Sequence, residues 1–421
     1  MAAALPHFTR SCLALAALAQ ESARTPATTP AATPAPIEWG EPELIADEVA
    51  TDSMVVPLCA AVSASGALVV GWSAGKRDDF GVWVAEKVDG RWMKKLVGRA
   101  ATTNPPQPQA ALDAAGNVVV AWEAPWDHVG APCFAIRSKE SGEWSEPRPI
   151  HENCSGEIDL DAGDSSGVRI AYVRGVDKFS GRKLFGNFVH DPPIQPYDKV
   201  ALGVLVDQAW REQAVIESHD LVAAENPRLI GDHLLYFRDG SLGNVSPDLD
   251  LTYVDLRMPD RLETVATYPD LLGGGERDAA LAVDQHHPIV AFTGIADRGK
   301  KHAFTYFPAV WIGERVDGKW GKPLQLIRHA ERPSLVAANG VVHLTAATSG
   351  WDSNEILHAA RVGGTWSLPQ RLCRGDNAEL VIWNGRPAVL AAGGMPDRGP
   401  RGAVGGKPID YPRRILLVRP R

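Results

Sequence analysis

The feature that most constrains this chain is an internal repeat of paired hairpins. GALVVGW ends at Trp72 and GNVVVAW at Trp122, each after an alternating apolar segment and a short turn. A second hairpin recurs behind the first, with VDGRW at Trp92, ESGEW at Trp144, VDGKW at Trp320 and VGGTW at Trp366. Asp-Gly or Gly-Gly between apolar runs marks a two-residue hairpin turn, because a type I′ turn needs positive φ at both central positions. Two hairpins make four strands, here called a to d. Such a unit cannot bury both of its faces alone, so copies must stack on one another.

Weaker copies follow by register. IDLDAGDSSGVRIAYV from Ile158 supplies strands a and b, with VALGVLVDQAWREQAVI as c and d. PRLIGDHLLYF from Pro227 is followed by LTYVDLRMPDRLETV, an outer hairpin without Trp. ALAVDQHHPIVAF from Ala280 and SLVAANGVVHLTAA from Ser334 precede the last two Trp hairpins. AELVIWNGRPAVLAA from Ala378 has only RRILLVR behind it and lacks a strand d. IEWGEPELI, from Ile37 to Ile45, matches the strand-d segment EWSEPRPI and has no a, b or c before it. The expected fold is therefore all-β: a seven-bladed β-propeller of four-stranded antiparallel blades, closed by an N-terminal strand that completes the last blade. The recurrent Trp is expected to wedge between blades. The Pro behind it is tolerated because an outermost strand has one unpaired edge.

Residues 1–19 hold one cation, Arg10, a short apolar stretch and Ala17 and Ala19 spaced for cleavage, which reads as a signal peptide. Residues 20–36 are a Thr/Pro/Ala-rich tether, and 37–421 form the propeller. The expected location is secreted, periplasmic or at the cell surface, and the expected state is a monomer. A net charge of -8 leaves no broad basic surface, so nucleic acid is not an expected partner. No apolar run is long enough for a transmembrane segment.

In a propeller the d–a and b–c loops gather on one face around the channel. The b–c segments read as long and polar, including SAGKRDDFG, EAPWDHVGAP, TGIADRGKKHAFTYFP and GGMPDRGPRGAVGGKPIDYP. Arg298 and Arg398 sit in matching Asp-Arg-Gly sequences, with Arg77 and Arg238 in similar places. Two readings stay open. The arginines pair with acids of neighbouring blades, or they form a ring that captures a carboxylate or sulfate on an acidic sugar. With Trp126 and Trp351 as stacking surfaces they are the ligand-binding candidates. His128, His190 and Tyr197 are candidate acid-base groups, whereas His286 and His287 fall in an a–b turn on the opposite face.

No His, Cys or carboxylate spacing resembles a zinc site, so neither metal nor cofactor is expected. Asp159, Asp161 and Asp164 invite a calcium reading, but Asp161 aligns with Asp113 of an ordinary a–b turn. Cys133 opens strand c of blade 2 and Cys154 falls in the following d–a loop, so an exported chain is expected to join them in a disulfide. Cys59 and Cys373, in blades 1 and 6, are expected to stay free.

The strand-b plus D-G-x-W pattern resembles the sialidase-like, BNR-repeat group of secreted propellers over nearly the whole chain after the tether. The sialidase strings F/Y-R-I-P and S-x-D-x-G-x-x-W do not occur, so no catalytic residue carries over. The blade pattern is also similar to that of propeller-fold polysaccharide lyases, which use His and Tyr as base and acid. That resemblance implies the pair His190 and Tyr197. The reading that results is a secreted propeller binding glycan or protein ligands on the b–c/d–a face. The alternative is a carbohydrate-active enzyme, glycoside hydrolase or polysaccharide lyase, acting on acidic polysaccharide.

Overall fold

The computed structural model describes residues 37–421 except 50–55, 64–65, 102–104, 114, 123–131, 151–153, 163–166, 175–198, 207, 218–222, 240–248, 268–277, 297–307, 349–353 and 394–412. The described residues form seven antiparallel sheets and no helix. Blade 1 comprises Leu58–Val62, Leu68–Lys76, Asp79–Val88 and Arg91–Ala100; blade 2, Pro108–Leu112, Val118–Trp122, Cys133–Arg137 and Arg148–Pro149. Blade 3 comprises Cys154–Asp161, Arg169–Arg174, Lys199–Val206 and Ala209–Glu217; blade 4, Ala223–Ile230, His233–Asp239, Leu249–Asp255 and Leu262–Thr267. In blade 5, Ala279–Asp284, His287–Ile295 and Pro308–Val316 precede a strand d split into Lys319–Trp320 and Leu324–Arg328. Blade 6 repeats this with Ala330–Ala338, Val341–Thr348 and Glu355–Val362 before Thr365–Trp366 and Gln370–Arg374. The split falls at Pro323 and Pro369, which have no N–H to give the ladder.

Blade 7 is closed across the ends of the chain. Its strands Asn377–Trp383, Arg386–Gly393 and Arg413–Val418 are completed by Glu43–Val49, in the order expected from the lone strand-d motif. Glu43 pairs with Leu417 and Leu44 with Leu416, and a bridge joins Trp39 to Pro420. Gly40 N–H donates to the Arg419 carbonyl at 2.7 Å and Arg421 N–H to the Glu38 carbonyl at 2.9 Å.

The hydrophobic clusters lie between blades. Trp92 packs where blades 7 and 1 meet, Trp144 between 1 and 2, and Trp210 between 2 and 3. Trp320, Trp366 and Trp39 do the same between 4 and 5, 5 and 6, and 6 and 7. Trp210 stands edge-on to Phe134 and Trp320 edge-on to Tyr253, an arrangement in which the ring's positive edge meets a negative face. Blade 4 has no such Trp, and Leu256 and Leu262 pack at its junction with blade 3 instead.

The turns follow the sequence. Asp89-Gly90, Asp317-Gly318 and Gly363-Gly364 all adopt positive φ, as a type I′ turn demands. One expectation is corrected. SAGKRDDFG is not a long b–c loop, because the ladder of blade 1 continues to Lys76 opposite Asp79, and Arg77-Asp78 turns with Asp78 at φ 68°. Asp tolerates that left-handed conformation, so an all-polar stretch still closes tightly.

Candidate channel site

The seven innermost strands surround a cavity of about 440 Å³ on the ring axis. More of its wall is polar than apolar, and the polar side chains include Gln107, Gln109, Asp159, Arg228, Ser334 and Glu379 from five different blades. An innermost strand has no partner on its channel side, so its N–H groups need other acceptors. Blade 3 provides them to blade 4. Glu157, Asp159 and Asp161 alternate along one face of their strand and accept the N–H groups of Asn226, Leu229 and Gly231 at 2.7, 2.7 and 3.0 Å. These acids therefore form a seam between blades. That places Asp159 and Asp161 side by side against a neighbouring strand, where each accepts a backbone N–H. Among the described residues no group of three His, Cys, Asp or Glu could hold a metal.

Two inner strands are bulged by the same local sequence. In blade 4 the register shifts between Glu225 and Arg228, and in blade 6 between Glu331 and Ser334. The segments read Ala-Glu-Asn-Pro-Arg-Leu and Ala-Glu-Arg-Pro-Ser-Leu, with Asn226 at φ 48° and Arg332 at φ 54° before the proline. Bulges re-aim side chains. Here they deliver Arg228, Arg332 and Ser334 to the channel wall. Arg228 donates through Nε to the Ala279 carbonyl at 3.0 Å, which ties blade 4 to blade 5. Arg332 reaches the Asp376 carbonyl at 3.1 Å and pairs with Glu331 at 3.0 Å.

The electrostatics single out Asp159, Arg228 and Glu379. Burial raises the Asp159 carboxyl to about 6, against the opposing effects of the Arg228 charge and the Leu229 N–H. Burial also raises the Glu379 carboxyl, to about 7; Arg228 and a hydrogen bond with Ser334 oppose the rise, and Asp159 adds to it. Glu379 thus feels the charge of Asp159, Asp159 feels that of its strand neighbour Asp161, and one guanidinium acts on both. The Cys59 thiol lies in the same wall, pushed upward by burial and by the charge of Glu379. At neutral pH this set can hold a proton on a carboxyl while keeping a second carboxylate ionised, the division of labour that acid-base chemistry needs.

Of the site residues expected from sequence, Arg77, Arg238 and Cys133 are described with their side chains, and none of the three lines this cavity. Arg77 is exposed at the tip of its hairpin in blade 1, and Arg238 is half-buried near the end of strand b in blade 4. Trp126, His128, His190, Tyr197, Arg298, Trp351 and Arg398 lie outside the described residues, as does Asp164. Cys133 opens strand c of blade 2, as expected, but Cys154 is not in a d–a loop. It is the first residue of the innermost strand of blade 3, opposite Arg174, because pairing with strand b begins earlier than the loop reading allowed. The Cys154 side chain lies outside the described residues. Cys59 and Cys373 are free thiols. Arg228, Arg332 and Glu379 were missed. The signal for Glu379 was a lone charge within a short apolar strand, Ala-Glu-Leu-Val-Ile, and for Arg228 and Arg332 the shared Ala-Glu-x-Pro segment.

No protein-family model matches the chain, and no curated protein matches it in sequence. Solved structures share its fold. A PL25 ulvan lyase, from a new family of polysaccharide lyase, is 12% identical over 91% of this chain and 96% of its own, with a TM-score of 0.53. The polysaccharide lyase Uly1 is 9% identical over 95% of each chain, also at 0.53. The GH93 α-L-arabinofuranosidase of Fusarium graminearum is 13% identical over 90% of this chain and 98% of its own, at 0.48. Neither of the two lyases is a sialidase, so the resemblance drawn from the hairpins narrows to the propeller architecture.

Proposed function

We propose that this chain is an exported carbohydrate-active enzyme that acts on a polysaccharide at the central channel. The reading is supported above all by Asp159 and Glu379, two carboxyls raised by burial that face one cavity and share Arg228. Its fold neighbours at a TM-score of 0.53 are polysaccharide lyases. In this reading Glu379 carries the proton delivered to the departing glycosidic oxygen, and ionised Asp159 is the complementary base. Arg228 holds the net charge of the pair within one unit of neutrality through the reaction. Gln107 and Gln109 supply amides suited to sugar hydroxyls. Residues 1–19 direct export and 20–36 space the propeller from its surroundings.

A binding module is the second reading. It is favoured by the Leu229 N–H bond to Asp159, which gives that carboxylate a structural task. The experiment incubates the protein with acidic and neutral polysaccharides and follows reducing ends, unsaturated uronate absorbance and retention on the immobilised polymer. Product release lost in Glu379→Gln supports the enzyme. Retention with no product from any polymer supports the binding module and contradicts the enzyme.

A further inference from the structure

Two histidines are buried at the junction that closes the ring. His343 and His358, on adjacent strands of blade 6, are 6% and 2% exposed. The Nδ1 of His343 lies 3.2 Å from the Nε2 of His358, so one ring donates and the other accepts. Trp39, from the N-terminal segment that completes blade 7, stands edge-on to His358 with centroids 4.9 Å apart. Gln370, opposite His358 in its ladder, donates to the Ile37 carbonyl at 3.0 Å. The N-terminal segment is therefore fastened to blade 6 beside two groups that can acquire charge. Among the described residues neither the Trp39 Nε1 nor the Thr345 Oγ1 has a hydrogen-bond partner, so the junction is not saturated by internal bonds.

We propose that the His343–His358 pair makes closure of the ring proton-sensitive: protonation of these imidazoles loosens the junction of blades 6 and 7 and frees residues 37–49 ahead of the remaining blades. A single imidazole–imidazole hydrogen bond tolerates one proton poorly in an apolar junction and two not at all, since two cations then face each other. The apolar side chains of blade 7 around the junction, Leu380, Val389 and Val418, offer no counter-charge. The charged groups on the packed elements are occupied elsewhere: Glu331 with Arg332, Glu355 with Arg371, Arg361 with Glu314, and Asp376 with Arg413. On the closing segment, Glu43 takes Lys87 and Arg419, and Asp47 takes Arg414.

Burial lowers His343 to about 4 and, with the neighbouring His343 charge, His358 to about 3. The released state therefore binds more protons below the ordinary histidine value of 6.5, and closure weakens as pH falls from there toward 4. Asp159 and Glu379 act with the opposite sign, because a raised carboxyl favours the closed state on acidification. Glu43, held below its ordinary 4.5 by Lys87 and Trp92 against the effect of burial, loses its charge only below that window.

Amide hydrogen exchange with peptide mass spectrometry, on the full chain and corrected for intrinsic rates, reads the opening locally. Between about pH 6.5 and about pH 5, opening of peptides covering 37–49 and 413–418 is expected to rise at least about tenfold per pH unit, with Val118–Trp122 of blade 2 unchanged. Replacing both imidazoles, by His343→Gln with His358→Gln, is expected to remove the rise in opening on acidification. If that double variant does not fold, His343→Gln alone should reduce the slope by about one proton. A pH-independent wild type, a rise shared equally by blade 2, or variants that keep the full slope would each overturn the proposal.

Discussion

The outer hairpins and the inner strands of this propeller use the same charged residues in opposite ways. On the outside, a cation just before the c–d turn of blades 1, 2, 5 and 6 reaches an acid of the preceding blade: Lys87 to Glu43, Arg137 to Glu86, Arg315 to Glu263 and Arg361 to Glu314, at 2.5 to 3.1 Å. Segments such as Glu-Lys-Val-Asp-Gly and Glu-Arg-Val-Asp-Gly carry both halves of the device, so repetition of the sequence makes consecutive struts from blade 7 to blade 2 and from blade 4 to blade 6. In the channel, Asp159 and Glu379 share one guanidinium. The outer acid Glu43 is held below its usual value by Lys87 and Trp92 even though burial opposes them, whereas Glu379 is raised. Glu86 shows the limit of the contrast, since its burial outweighs Arg137 and raises it. Charge that is matched stabilises the ring; charge that is left short is available for chemistry.

The sharpest way to break this contrast is to neutralise one acid in each region. Glu379→Gln is expected to reduce product release by about a hundredfold or more, the usual scale for a lost general acid, while the urea midpoint hardly moves. Glu314→Gln is expected to leave product release unchanged. Equal losses in the two variants would show that both acids are merely structural.

Stability should respond in the reverse order. Trp39→Ala removes the wedge of the closing strand and is expected to cost about 3 kcal/mol, at the low end for a Trp-to-Ala change because the ring is only partly buried. Denaturant unfolding followed by intrinsic fluorescence measures it. A loss below about 1 kcal/mol would mean that the other backbone pairs of the strand suffice to close the ring.

Activity should trace a narrow bell against pH. It is expected to fall above about 7, where Glu379 gives up its proton, and below about 6, where Asp159 loses its charge. Initial rates across the range test this, and Asp159→Asn should lose most of the activity, its residual rate lacking the acid limb. The smallest effect belongs to the struts: Glu314→Gln is expected to cost about 1 kcal/mol in the same unfolding experiment.

Much of this contrast was open to reading in the residues, unevenly. Each D-G-x-W hairpin announces itself through turn chemistry that only a few residues allow, and Ile37–Ile45 is legible because it copies a strand found elsewhere in the chain. The struts were equally repetitive, but their meaning depends on blade n meeting blade n+1, which a strand pattern does not state. Glu379 and Arg228 were hidden for a different reason. Glu379 stands alone in an apolar strand and Arg228 shares its strand with Glu225, and only closure of the ring brings blades 3, 4 and 7 within electrostatic reach. Asp159 was noticed for the wrong chemistry, because Asp-Leu-Asp resembles a cation ligand set until a neighbouring strand arrives with its N–H groups. Arg77 shows the converse error, in which polar composition implied a long loop although Asp78 could close a tight one.

The central claim is that the channel keeps a proton on a carboxyl at neutral pH. Carbon-13 NMR of glutamate carboxyls, with Glu379→Gln identifying the resonance, measures it directly. The account predicts that Glu379 titrates near 7, apart from the surface glutamates. Titration at the ordinary value of 4.5, together with the surface residues, would contradict it.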